Sequence, residues 1–147
     1  MIFLKLKSIS ANLFPLKLMK TAPDLLGQAI KFRQIMSQPI GTFTPNGLDI
    51  QRNLIVEEFK EFLEAETEAT KYLQNPRARE AALKELADLC FVCFQYAAAA
   101  GWELDEALDR VNTSNLSKLV DGKPLKREDG KVLKGPNYKP PYLTDLV

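Results

Sequence analysis

Six glutamates, Glu57, Glu58, Glu61, Glu64, Glu66 and Glu68, fall within one twelve-residue stretch, and Lys60 is the one cation inside it. On a helix Glu58 and Glu61 lie about 60° apart around the axis, and both follow the apolar run Leu54-Ile55-Val56. Like charges so placed repel and cost stability unless a cation lies between them, and a divalent ion taking oxygen ligands from both would offset that cost. A second acidic pair stands further on. Asp88 sits in Leu86-Ala87-Asp88-Leu89-Cys90-Phe91-Val92, where an unpaired ionised carboxylate is expensive enough that it must be protonated or paired. Lys84 is the basic residue within a turn of it, and Glu85 lies three residues before it on the same face. Two facing helices with two inward carboxylates each would form a hard, all-oxygen cage, suited to Mg²⁺ or Mn²⁺ and unsuited to zinc. The plainer alternative is a solvated acidic face.

The rest of the chain narrows the chemistry. There is no histidine, which removes Ser/His/Asp and Cys/His catalysis and histidine zinc sites. Cys90 and Cys93 form a C-x-x-C, but within Leu89-Cys90-Phe91-Val92-Cys93-Phe94 they read as small core side chains one helical turn apart rather than a redox pair. Mg²⁺ held with open coordination positions points to phosphate chemistry. Asn112, Asn115 and Lys118 recur at spacing three, placing two amides and an ammonium along one side of a helix; they are either a phosphate grip or an exposed helix end. From Lys118 to Lys139 seven basic residues face three acidic ones. That segment either closes over a polyphosphate or is a solvated tail.

Four helices are predicted to position these groups. The first follows Pro23-Asp24, carries Leu25, Leu26, Ala29, Ile30, Phe32, Ile35 and Met36 at helical spacing, and ends before Pro39. Residues 38–48 hold two prolines and two glycines and read as a loop bearing an exposed Phe43. The second helix is expected from near Asp49 to Tyr72 or Leu73, broken at Asn75-Pro76. The third, from about Arg77 to Ala100, is apolar on every side after Leu86 except at Asp88 and Gln95, and Gly101 ends it. A helix of that character is buried all round, so it is expected to pack against a second subunit as well as its own neighbours. The fourth runs from about Asp105 to Leu119. Beyond it Asp121-Gly122, Asp129-Gly130, Gly135-Pro136 and Pro140-Pro141 give turns, with room for one short hairpin. The fold class is therefore all-α: a four-helix bundle completed by oligomerisation, with an irregular C-terminal tail. The organisation reads as an N-terminal extension (1–20), a helical catalytic domain (21–120) and a turn-rich basic tail (121–147).

Lys+Arg number 20 against 19 Asp+Glu, a net charge of +1, which argues against a nucleic-acid binder held by a general positive field. Residues 1–20 mix Lys5, Lys7, Lys17 and Lys20 with Ile2, Phe3, Leu4, Leu6 and Leu13 and lack the single apolar block and cleavage site of a signal peptide. Met19 is an alternative start, and the segment receives no catalytic role. No apolar run approaches the roughly 20 residues a bilayer span needs. No membrane partner and a cytoplasmic location are expected, the host's cytoplasm if the protein is viral.

Glu57-Glu58-Phe59-Lys60-Glu61 followed by Glu85-Leu86-Ala87-Asp88 resembles the E-E-x-x-E … E-x-x-D signature of the MazG-like, all-α nucleoside triphosphate pyrophosphohydrolases. Arg52-Asn53-Leu54, Val111-Asn112-Thr113-Ser114-Asn115-Leu116-Ser117-Lys118 and Lys134-Gly135-Pro136-Asn137-Tyr138 extend the likeness to small phage and cyanobacterial members, over roughly residues 24–143. The resemblance implies Mg²⁺-dependent hydrolysis of an NTP or dNTP between the α and β phosphorus atoms, with Mn²⁺ able to substitute. It implies metal ligation by Glu58, Glu61, Glu85 and Asp88. Glu57 would hold a further metal or orient the attacking water, and Asn115 and Lys118, with Asn112, would hold phosphate or sugar oxygens. It also implies a homo-oligomer, dimer or tetramer. Base-pocket candidates are Gln28, Phe32, Phe43 and Val92. Some phage relatives act on guanine nucleotides, so dGTP or GTP is the first expected substrate. The alternatives are a dCTP or dUTP hydrolase, a phosphoribosyl-ATP pyrophosphohydrolase, or a non-catalytic helical oligomer that binds nucleotides.

Overall fold

A computed structural model describes residues 23–147, so the expected N-terminal extension lies outside the described residues. Among these residues the chain is all-helical: α1 (Leu25–Ile35), α2 (Pro45–Lys71), α3 (Pro76–Ala100) and α4 (Leu104–Leu116), then a turn-rich tail ending in a 3-10 turn at Thr144–Leu146. The short hairpin expected in the tail is reduced to two isolated antiparallel bridges, Val120 with Lys123 and Lys126 with Val132.

Local chemistry sets each boundary. The Asp24 carboxylate accepts from the Gly27 amide at 2.8 Å and starts α1. α2 starts at Pro45 rather than near Asp49, because a proline in the first turn is pre-set for helical φ and gives up only an amide that would be unbonded there anyway. Asn75 caps α3 by accepting from the Arg77 amide. Gly101 ends it at φ 83°, and a Cβ there would meet the Gly41 Cα at 3.0 Å, so both its backbone conformation and its neighbour demand glycine. α4 stops at Leu116, short of Leu119. There Ser117 donates its hydroxyl to the Ser114 carbonyl, while the Lys118 and Leu119 amides bond three residues back.

α2 and α3 form a long antiparallel pair, and α1 packs on the C-terminal half of α3. One core joins Ala29, Phe94 and Ala98 with Leu26, Ile30 and Leu104; the other joins Leu48, Ala99 and Ala100 with Tyr96 and Trp102. The loop between α1 and α2 is tied to the end of α3 by the Gly41 amide on the Ala98 carbonyl and the Thr42 amide on that of Ala99. Phe43 is largely exposed, as expected, yet stacks on Trp102 with ring centroids 5.5 Å apart. Arg33 is buried beneath this loop, donating to the Pro39 carbonyl at 2.7 Å and the Gln95 side-chain oxygen at 3.4 Å, and desolvation lowers its guanidinium pKa.

α4 contacts α1 over a short stretch and makes no extended contact with α2 or α3. It carries the tail instead. Arg110 makes two bonds to the Asp145 carboxylate, at 2.6 and 2.9 Å, and a third to the Tyr142 carbonyl. The burial expected all round α3 is incomplete within one chain. Its last two turns are buried, but Leu86, Cys90 and Phe91 are exposed, as are Phe59 and Leu63 on α2. Cys93 is half-buried, so of the two cysteines expected in the core only this one is partly covered, and burial raises its thiol pKa.

Candidate active site

The antiparallel course of α2 and α3 brings the two halves of the acidic motif together. Because Leu48 meets Ala99 and Ala100 at one end of the pair, residues about three to four turns later on α2 meet α3 some three to four turns earlier. Glu58, Glu61 and Glu85 each offer a carboxylate oxygen, and these three oxygens lie within 4.8 Å of one another. Glu58 and Glu85 are half-buried and Glu61 is exposed.

The electrostatics are unfavourable without a cation. Two unit charges at such a separation repel by roughly 1 kcal/mol in bulk water and about 3.5 kcal/mol at an effective dielectric of 20, the lower figure applying to exposed Glu61. The Glu58 carboxyl accordingly sits above the usual carboxylate range, first through desolvation and then through the charges of Glu61 and Asp88, against an opposing effect of Lys84 that exceeds the small addition from Glu85.

Asp88 reaches this cluster electrostatically, but one of its oxygens is held at 2.7 Å by Lys84, which also lies 3.1 Å from Glu85. The requirement that Asp88 be paired is thus met by its neighbour one turn back. Bonds to Asp88 and Glu85 raise the Lys84 ammonium pKa well above its ordinary value. The motif's fourth acid is therefore beside the other three but turned to an ammonium.

The donor set fits a hard divalent ion. All donors are carboxylate oxygens, the ligand type that Mg²⁺ and Mn²⁺ take, and three of them stand within 4.8 Å of one another on flexible glutamate side chains. Lys84 in turn supplies a provisional counter-charge that a cation would displace.

Glu57 is exposed on the outer side of α2, lining a shallow groove with Asn53, Val56, Lys60, Glu61 and Glu64. A second groove runs between the helices from Glu61 and Glu85 past Glu64 and Glu68. Asn112 and Asn115 are exposed on α4, and Asn115 accepts from the Lys118 ammonium at 2.6 Å just beyond the helix end. None of the three belongs to the carboxylate cluster, and α4 makes no extended contact with α2 or α3. Of the base-pocket candidates, Gln28 lines an apolar pocket of about 200 Å³ with Leu25, Ala87, Cys90, Phe91 and Phe94. Phe32 packs edge-on against Phe91 at 5.4 Å, Val92 is buried, and Phe43 belongs to the separate Trp102 stack.

Two features escaped the sequence reading. Lys84 precedes Asp88 by one turn, a spacing that allows the pair, but nothing in the sequence shows that it also bonds Glu85. The Arg110–Asp145 clasp joins residues 35 apart, with no periodicity to signal it.

The sequence model of the phosphoribosyl-ATP pyrophosphohydrolase family matches residues 27–115, from α1 to the end of α4 and including all five motif acids. No curated protein sequence matches the chain.

Proposed function

Since the chain belongs to the phosphoribosyl-ATP pyrophosphohydrolase family, within the MazG-like all-α NTP pyrophosphohydrolases, we propose that it cleaves a nucleoside triphosphate between the α and β phosphorus atoms in the presence of Mg²⁺. The family is one of pyrophosphohydrolases acting on nucleotide-like substrates and is typically metal-dependent. The observation that carries the reading is the convergence of Glu58, Glu61 and Glu85 within 4.8 Å on the acidic motif.

Glu58, Glu61, Glu85 and Asp88 would hold the metal, Asp88 after exchanging Lys84 for it. A bound Mg²⁺ supplies positive charge against the phosphate oxygens and Lewis acidity toward water. The carboxylates would fix that charge between α2 and α3. Glu57, on the open side of α2, is the carboxylate available to orient the attacking water and accept its proton. Attack at the α phosphorus forms one P–O bond as the bond to the β-phosphate oxygen breaks, giving nucleoside monophosphate and pyrophosphate. Asn115 and Lys118, with Asn112, would neutralise and align phosphate or sugar oxygens.

Because α4 stands apart from α2, such a grip would reach the carboxylates from a neighbouring subunit. Exposed Phe59 and Leu63 on α2 and Leu86 and Phe91 on α3 favour a homo-oligomer, dimer or tetramer. Among the described residues no helix is long and apolar enough to cross a membrane. dGTP or GTP is the first substrate proposed. Phosphoribosyl-ATP is the second, favoured by the family that matches 27–115. Pyrophosphate release from a panel of NTPs, dNTPs and phosphoribosyl-ATP, with Mg²⁺, Mn²⁺ or EDTA, tests the reading. Release from none of them in either metal would overturn it.

A further inference from the structure

The family match ends at residue 115, but the segment Lys134-Gly135-Pro136-Asn137-Tyr138 folds back onto the chain just beyond that point. Gly135 lies so close to the end of α4 that a Cβ there would be 3.0 Å from the Lys118 carbonyl oxygen and 2.6 Å from a Val120 methyl. A turn is closed there by the Tyr138 amide on the Gly135 carbonyl, at 3.1 Å, and Tyr138 is half-buried. The Lys134 ammonium stands 4.4 Å from the centroid of the Tyr138 ring, while Lys118 is held to Asn115.

One ammonium thus lies against the half-buried Tyr138 ring and a second stands at the end of α4 on which Gly135 docks, and the ion pairs among the described residues are made by Arg52, Lys84, Arg110 and Arg127, never by Lys118 or Lys134. The Tyr138 phenol pKa is lowered, chiefly by its contact with the Ser114 side chain and less by the charges of Lys134 and Lys118, against desolvation. Two ammoniums outside any ion pair and one phenol, carried on segments that Gly135 docks together, form a set of donors suited to phosphate oxygens.

We propose that Lys118, Lys134 and Tyr138 form one polyphosphate site, assembled by the close docking of Gly135 on the end of α4, that takes the terminal phosphates of the substrate. The naming of the substrate as the source of those phosphates rests on the pyrophosphohydrolase reading above; the site itself does not. It gives Lys134 and Tyr138 binding roles and makes the tail a docked part of the phosphate grip.

The test is calorimetric titration of tripolyphosphate into the full-length protein in EDTA, where the carboxylates cannot contribute through a metal. Wild type is expected to bind, more weakly as salt rises. Lys134→Met should weaken binding about tenfold and Tyr138→Phe a few-fold, as expected for lost charge-assisted and neutral hydrogen bonds. Lys126→Met, an exposed tail lysine outside the cluster, should bind as wild type does. No binding by wild type, or equal losses in Lys134→Met and Lys126→Met, would overturn the site and leave only a diffuse positive field. A Lys134→Met enzyme with unchanged KM for the nucleotide but lost tripolyphosphate binding would overturn the assignment to substrate. If instead no nucleotide is hydrolysed by wild type while tripolyphosphate binds at Lys134, the function fails and the site stands.

Discussion

The Glu58 carboxylate on α2 and the Glu85 carboxylate on α3 bring oxygens within 4.8 Å across the helix pair, with Glu61 closing the triangle. Burial and its acidic neighbours raise the Glu58 pKa. The fold therefore holds this group in a place where its negative charge is disfavoured.

Glu58→Gln keeps the side chain's shape and removes that repulsion. The metal-free variant should be more stable by about 1 kcal/mol, roughly 2 to 5 °C in Tm. Wild type is expected to gain Tm on adding Mg²⁺, and the variant is expected not to. Thermal unfolding with and without Mg²⁺ reads both effects; a variant less stable without metal and still stabilised by Mg²⁺ would mean that Glu58 is not a ligand.

Lys84→Met should move in the opposite direction. Lys84 is bonded to Asp88 and Glu85, so its loss leaves the acids uncompensated and lowers metal-free stability. It also removes the group that a cation must displace, so Mn²⁺ titrated against the variant should bind more tightly than to wild type. Weaker Mn²⁺ binding would show that Lys84 organises the acids rather than competing for them.

Both predictions depend on what the sequence could and could not reveal. The carboxylate pairs were legible because helical spacing places Glu58 with Glu61 and Glu85 with Asp88 whatever the tertiary fold, and one antiparallel helix pair is enough to bring them together. The start of α2 was not, because Pro39, Gly41, Pro45 and Gly47 read as one loop, although Pro45 suits a first turn and Gly47 is tolerated there. The exposure of Leu86, Cys90 and Phe91 could not be read from an apolar stretch, which says that a face must be covered but not by what. The docking of the tail depends on Arg110 finding Asp145 and on Gly135 fitting against Lys118, contacts of long sequence separation that leave no local pattern.

Acid should release that tail. The Arg110 guanidinium beside Asp145 lowers the Asp145 pKa, so the clasp contributes stability above the carboxyl's unfolded pKa and loses it as pH falls through the lower, folded one. Hydrogen exchange at the amides of 143–147 should accelerate in that acidic window in wild type, and at neutral pH in Arg110→Met. Equal protection in the two proteins at neutral pH would mean that other contacts hold the tail.

Lys118→Ala should raise KM about tenfold at low salt, less at high salt, with Mn²⁺ binding in the absence of nucleotide unchanged. Kinetics equal to wild type at both salt concentrations would return the end of α4 to a purely structural part.

Product analysis of Asp88→Asn in Mg²⁺, against wild type with its best nucleotide, tests the central claim most directly. The substitution keeps the side chain's size and removes the charge that would exchange Lys84 for the metal. The account predicts that wild type releases nucleoside monophosphate and pyrophosphate in equal amounts, with no orthophosphate, and that Asp88→Asn, folded and helical, loses this activity by a factor of about a thousand or more, the scale of removing a key electrostatic group. Near-normal pyrophosphate release by Asp88→Asn, or orthophosphate as the wild-type product, would contradict it.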